Sequence, residues 1–294
     1  MKLANLAGRL AIITAGGAVD VERTSGGEFD ADPQGVFEQW DSFVEWVTSI
    51  GDLAAMGCAY DPLDLRAPAP WPRQIFAMGF NYRAHAEEFG TTVHTGLPPV
   101  FTKFAGSITG PYGSVVLPAD TVDWEVELVA VLGRRAWQVG EDRAWQCVAG
   151  LTVGQDLSER ETQLRGDTPQ FSLGKSYPGF SPMGPWLVTP EEFDNPHDLR
   201  ITTELNGVLV QDARTSHMIT AVPALISRLS RIVPLLPGDV VYTGTPSGVG
   251  SRQHPPRFLR PGDELVSTIA GIGALRHHMI AGPTSELTEG NCHD

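Results

Sequence analysis

The chain has 294 residues, 41% hydrophobic and 19% charged, an ordinary globular balance. Its 35 acidic and 21 basic residues give a formal charge of −14, which argues against nucleic acid as a partner, because phosphate binding needs Lys and Arg. No apolar run reaches the roughly 18–20 residues of a membrane span, and Cys58, Cys147 and Cys292 form no CxxC pair, so neither a zinc cluster nor a disulfide framework is expected.

The opening MKLANLAGRLAIITAGG lacks the apolar core and cleavage site of a signal peptide, and a reducing cytoplasm is the simplest compartment. RLAIIT and AVDVER are predicted as a strand pair turned by AGG. Val36, Phe37, Trp40, Phe43, Val44, Trp46 and Val47 recur at helical spacing after Asp32-Pro33, a start signal for a helix. DPLDLRAPAPWPRQ is Pro-rich and reads as an extended linker. This places a small N-terminal domain at 1–70, a larger domain at 71–283 and a polar tail at 284–294. In the larger unit, NYRAHAEEFG reads as a short helix closed by Gly90. Strands are predicted at 115–117, 125–132, 148–156, 200–210, 239–243 and 264–269, with a helix in VPALISRLSRIV. Many short strands with few helices indicate a mainly β, α+β architecture rather than a doubly wound sheet.

The chemistry is concentrated in VDWEVELVAVLG, Val122 to Gly133. Asp123, Glu125 and Glu127 stand at alternate positions where a buried strand begins, and side chains two apart on a strand point the same way. Clustered carboxylates are costly unless a cation or a proton neutralises them. Glu125 and Glu127 can converge on one ion, and Asp156 in VGQDLSERETQ supplies a third carboxylate after another apolar strand. Such an all-oxygen set suits Mg²⁺ best, with Mn²⁺ or Ca²⁺ as alternatives. The same Glu-x-Glu pattern also suits a solvated strand face.

GFNYRAHAEEF, DWEVELVAVLG, GQDLSERETQ, LGKSYPGFSPMGPWLVT, LNGVLVQDARTSHMI, LLPGDVVYTGTPSGVG and LRPGDELVSTIAGIGALR follow one another in an order that resembles the fumarylacetoacetate hydrolase family, over about residues 73 to 280. The resemblance implies a mixed β roll, a Mg²⁺ held by Glu125, Glu127 and Asp156, and a homodimer. It leaves Asp123 outside the ion's immediate ligands. It implies that His85 and Glu88 activate water, that Lys175 stabilises developing negative charge and that Gln163 positions water. It also implies substrate contacts from Thr245, Arg160 and Tyr82. Two departures stand out: His217 in TSHMI, where an acidic or amide residue is usual, and SERE in place of the commoner SARD.

The expected activity is Mg²⁺-dependent hydrolysis of a carbon–carbon bond in an acylpyruvate or diketo acid. The alternative keeps the metal site but isomerises or decarboxylates a 2-oxo or 2-hydroxymuconate-type diacid of aromatic degradation, or decarboxylates oxaloacetate. The segment 82–96, which carries His85 and Glu88, is also expected to close as a lid over bound substrate.

Overall fold

A computed structural model describes residues 1–93 and 95–282. The predicted tail at 284–294 and Cys292 lie outside these residues. Two sheets dominate. The larger has eleven strands, and its main path runs Gly17–Asp20, Arg9–Thr14, Lys2–Leu6, Ser181–Val188, Val148–Gln155, Val126–Leu132, Val240–Tyr242, Ile75–Met78 and Val100–Phe101. The second orders Val208–Arg214, Arg200–Leu205, Glu264–Ile269, Gly273–Ala281 and Tyr112–Leu117. Both are mixed: Val240–Tyr242 runs parallel to Ile75–Met78, and Gly273–Ala281 parallel to Tyr112–Leu117, among antiparallel neighbours. The expected mainly β, mixed architecture is the one observed.

Val126–Leu132 is buried at every position, as a strand covered on both faces must be. Leu128, Ala130 and Leu132 share a core with Leu225, Ile226 and Leu229 of the helix Val222–Ser230 and with Ile201, Ile269 and Leu275 of the second sheet. On the opposite face, Val129 and Val131 pack with Leu3, Ile12, Phe37, Trp40 and Phe43. The first seventy residues therefore cover one face of the strand that leads to the carboxylates. They also extend its sheet, since Lys2 and Leu3 pair with Val188 and Leu187. The contact is close at Gly133, where an added Cβ would meet the Trp40 ring at 2.7 Å.

Several elements differ from expectation for local reasons. KLANL is itself a strand, Lys2–Leu6, and turns into RLAIIT through Ala7 and Gly8, both at positive φ. AVDVER is a strand only to Asp20, whose carboxylate accepts from the Arg23 N–H and caps a helical turn, Val21–Thr24. The predicted first helix begins as a 3₁₀ turn, Gly35–Gln39, and is α-helical over Trp40–Ser49. The predicted strand 200–210 is a hairpin. Asn206 and Gly207 take φ of 53° and 75°, the left-handed pair that a two-residue hairpin turn requires. Ser181–Val188 and Gly273–Ala281 are long strands that the prediction omits.

Candidate metal and acid–base site

Glu125, Glu127 and Asp156 are buried, and each offers an oxygen lying within 4.8 Å of the others'. Two adjacent strand ends bring them together. Val126 pairs with Gln155 across the antiparallel ladder, and the Asp156 N–H donates to the Glu125 carbonyl at 2.9 Å. The predicted strand starts one residue late, at Val126, because Trp124 and Glu125 interrupt it after the short strand Val122–Asp123. Buried amides hold this break in place. Gln155 Oε1 accepts from the Glu125 N–H at 2.8 Å and Gln211 Oε1 from the Val126 N–H at 3.2 Å.

Lys175 Nζ donates to Glu125 Oε2 at 2.8 Å, Asp156 Oδ2 at 2.6 Å and Ser158 Oγ at 2.8 Å. Lys103 Nζ donates to Asp156 Oδ1 at 2.5 Å and to the Lys175 carbonyl. Arg160 reaches Glu125 Oε1 at 2.7 Å. Glu127 has less support: Oε2 accepts from the Gly244 N–H at 2.7 Å, while Oε1 is buried without a partner. Gly244 reaches this position at φ 96°, where an added Cβ would meet Asn81 Cβ at 2.8 Å, so glycine is required for that approach.

The buried carboxylates of Asp123, Glu125, Glu127 and Asp156 outnumber the buried cations Lys103, Arg160 and Lys175 by one. The imbalance falls on Glu127. Burial, then the charges of Asp156 and Glu125, push its carboxyl well above the ordinary value. Burial would also raise Glu125, yet Lys175 and Arg160 hold it below the ordinary carboxylate range. Burial lowers Lys103 despite Asp156 beside it, whereas Asp156 and Glu125 raise Lys175 against its burial. An unpartnered buried oxygen, an all-oxygen donor set and a surplus negative charge fit a hard divalent cation. The oxygens already bonded to lysine keep lone pairs for it. Glu125, Glu127 and Asp156 form a divalent-metal site.

Asp123 has a different task. Its Oδ1 accepts from the N–H groups of Trp124 at 2.8 Å and Gly250 at 2.7 Å. Its Oδ2 accepts from Ser251 N–H at 3.0 Å and from Arg160 Nε and Nη2 at 2.9 and 2.7 Å. It therefore ties the metal-bearing strand to the 250–252 turn and fixes Arg160. Asp123→Ala should destabilise the fold by about 3–5 kcal/mol, the cost of stranding one member of a buried ion pair. Urea unfolding of the variant measures this, and a loss below about 1 kcal/mol would contradict the anchoring role.

The helix Arg83–Glu88 places His85 Nδ1 2.7 Å from Glu88 Oε1. Glu88 Oε2 accepts from the Gly248 N–H at 3.1 Å, joining this helix to the Gly-rich turn. His85 is buried and packs against the rings of Phe80 and Phe89, which also touch each other. A cavity of about 310 Å³ is lined by His85, Glu125, Lys175, Gln163, Arg160 and Thr245, with an aromatic wall that includes Phe80, Phe89, Phe101 and Phe171. Most of the site residues expected from the sequence thus meet in one place. Within it, Gln163 Oε1 accepts from Arg160 Nη1 at 2.9 Å and Thr245 Oγ1 from Gln211 Nε2 at 2.9 Å. Arg160 spends its guanidinium on Asp123, Glu125 and Gln163. Tyr82 stands just ahead of the helix, its hydroxyl buried without a partner, and does not line the cavity. His217 is exposed and away from it.

Sequence reasoning missed Lys103, Asp123 as an anchor, and the pair Ser251 and Arg252 beside the cavity. The one signal for Lys103 is a solitary cation in the apolar run VFTKFAG; its burial and its bond to Asp156 depend on tertiary structure.

A family profile, fumarylacetoacetate (FAA) hydrolase C-terminal, matches residues 74–280. Human mitochondrial oxaloacetate tautomerase FAHD2B is 41% identical over 216 residues, 73% of this chain and 68% of that protein. An HpcE-type protein of Mycobacterium smegmatis has 50% identity and a TM-score of 0.89, with 96% of this chain and 100% of that one covered. The maleylpyruvate hydrolase of Sphingobium sp. SYK-6, solved with manganese(II) and pyruvate, has 26% identity and a TM-score of 0.78, with 96% and 100% covered. This chain belongs to the fumarylacetoacetate hydrolase family.

Proposed function

We propose that this chain is a divalent-metal-dependent enzyme that moves a proton at the carbon next to the carbonyl of a 2-oxo acid. Keto–enol tautomerisation is the simplest such reaction, and isomerisation or decarboxylation of a diacid extends it. The carrying observation is a single cavity in which His85, hydrogen-bonded to Glu88, faces the same space as Glu125 and Lys175. Mg²⁺ or Mn²⁺ held by Glu125, Glu127 and Asp156 would polarise the 2-oxo group and acidify the neighbouring C–H. Glu88 accepts the Nδ1 proton of His85, which leaves Nε2 as the base for the carbon-bound proton. Lys175, which lines the cavity, supplies positive charge as negative charge grows on substrate oxygen, while Lys103 is engaged with Asp156. The aromatic wall keeps bulk water from the carbanion-like centre.

The tautomerase name of the human relative and the HpcE type of the mycobacterial one support this order of preference. Hydrolysis of an acylpyruvate is the second reading. It is favoured by the His85–Glu88 pair, which could equally deprotonate water, and by the name of the maleylpyruvate hydrolase.

Oxaloacetate, a 2-hydroxymuconate-type diacid and an acylpyruvate, each with Mg²⁺, Mn²⁺ or chelator, separate the readings. Enol absorbance reports tautomerisation, released CO₂ decarboxylation, and released pyruvate hydrolysis. Metal-dependent conversion of the oxaloacetate enol, abolished by chelator, is the expected result. Pyruvate release from the acylpyruvate alone would establish the hydrolase instead. Turnover unaffected by chelator would refute both. A homodimer is the proposed assembly, and sedimentation equilibrium measures it.

A further inference from the structure

Each cation packed against the metal carboxylates already has a protein carboxylate partner. Lys103 serves Asp156, Lys175 serves Glu125 and Asp156, and Arg160 serves Asp123 and Glu125. Arg252 differs. It lines the same cavity with its guanidinium carbon 3.9 Å from the centre of the Phe89 ring. Among the described residues its guanidinium meets no carboxylate. Beside it in sequence, Ser251 Oγ also lines the cavity, and that oxygen is buried without a hydrogen-bond partner. An unpartnered hydroxyl and an exposed guanidinium therefore line the same cavity as the Phe80, Phe89, Phe101 and Phe171 rings.

The turn that carries them is rigidly placed. The N–H groups of Gly250 and Ser251 donate to Asp123, two residues from Glu125. The Gly248 N–H donates to Glu88, and the Arg252 guanidinium stacks on Phe89, the residue that ends the His85 helix. Arg252 is thus held in fixed relation to both the metal ligands and the acid–base pair.

We propose that Arg252, assisted by Ser251 Oγ, binds a second carboxylate at the far end of the substrate, so that this site selects 2-oxo dicarboxylic acids over monoacids. The proposal rests on the reading above, in which the 2-oxo acid end lies at the metal. A carboxylate placed against Phe89 and Phe80 would be costly unless paired. A guanidinium held by an aromatic face meets it with a charge-assisted hydrogen bond. A methyl group in the same place would make no such bond and leave the exposed guanidinium to water, so the discrimination is that of one charge-assisted hydrogen bond.

The test uses the full chain loaded with Mn²⁺ and three probes in calorimetry. Oxalate fills only the metal end. 2-Oxopentanoate and 2-oxoglutarate have the same chain length and differ in the terminal carboxylate. Wild type should bind 2-oxoglutarate about 10-fold or more tighter than 2-oxopentanoate. Arg252→Gln should remove that difference while leaving oxalate affinity unchanged, and Ser251→Ala should reduce it in part. Equal affinity of wild type for the two five-carbon acids would overturn the proposal alone. So would an equal loss for all three probes in Arg252→Gln, since that would make Arg252 a support for the Phe89 helix. Failure of oxalate to bind the Mn²⁺-loaded wild type would instead refute the 2-oxo acid reading, and this inference with it.

Discussion

Glu127→Gln is expected to lose divalent-metal affinity by more than about 100-fold, the upper cost of removing an outer partner of a metal ligand, and with it nearly all activity. The metal-free variant should nevertheless be more stable than metal-free wild type. Glu127 is buried, one of its oxygens has no partner, and burial with Asp156 and Glu125 pushes its carboxyl well above the ordinary 4.5. Well below pH 4.5 the group is protonated in both folded and unfolded chains and adds no pH-dependent cost. As pH rises through the interval up to the raised folded value, the unfolded chain releases its proton and the folded chain retains it. Metal-free wild type therefore loses stability on the way to neutral pH. Glutamine never ionises, so the variant's advantage in Tm should be larger at pH 8 than at pH 5. Saturating Mn²⁺ should reverse the order, because a ligand at 100 times its Kd stabilises by about 2.7 kcal/mol and the variant cannot use it. Calorimetric titration with Mn²⁺ and thermal unfolding at the two pH values check both parts. Wild-type Mn²⁺ affinity in the variant would remove Glu127 from the ligand set.

The carboxylate triad was legible because its logic is local. Alternation places Glu125 and Glu127 together, and an apolar run before Asp156 brings a second strand end to the same place. His85 and Glu88 were legible for the same reason, being one helical turn apart. What could not be read is what long-range pairing creates. Lys103 meets Asp156 across 53 residues and Asp123 meets Arg160 across 37. Neither pair has a spacing that any single element imposes. The role of residues 1–70 was obscured by the proline-rich stretch at their end, 61–74, which in sequence looks like a separator. In the fold it is a short path back to the sheet, because Phe37, Trp40 and Phe43 are needed to cover Val129 and Val131. Tyr82 lies next to the His85 helix in sequence, but it is buried within reach of the Glu127 charge and is not among the residues lining the cavity.

His85→Ala should lower turnover by about 10²–10⁴-fold, the usual worth of a general base, with Mn²⁺ affinity unchanged because His85 is not among the converging carboxylates. Glu88→Gln should be nearly as damaging although it preserves size and shape. Glu88 accepts at both oxygens, from His85 Nδ1 through Oε1 and from the Gly248 N–H through Oε2. A glutamine has one acceptor and one donor end. If its oxygen keeps the Gly248 N–H, its NH₂ faces Nδ1, which must then be the unprotonated nitrogen, and the proton moves to Nε2. The base is lost by a change of tautomer with the ring still in place. If the amide turns the other way, its NH₂ confronts the Gly248 N–H and the turn carrying Thr245 and Arg252 loses its tie to the helix. Steady-state rates with Mn²⁺ for both variants, alongside Mn²⁺ titration, measure this. A full wild-type rate in Glu88→Gln with a dead His85→Ala would show that His85 works without its carboxylate partner, and the tautomer argument would fall.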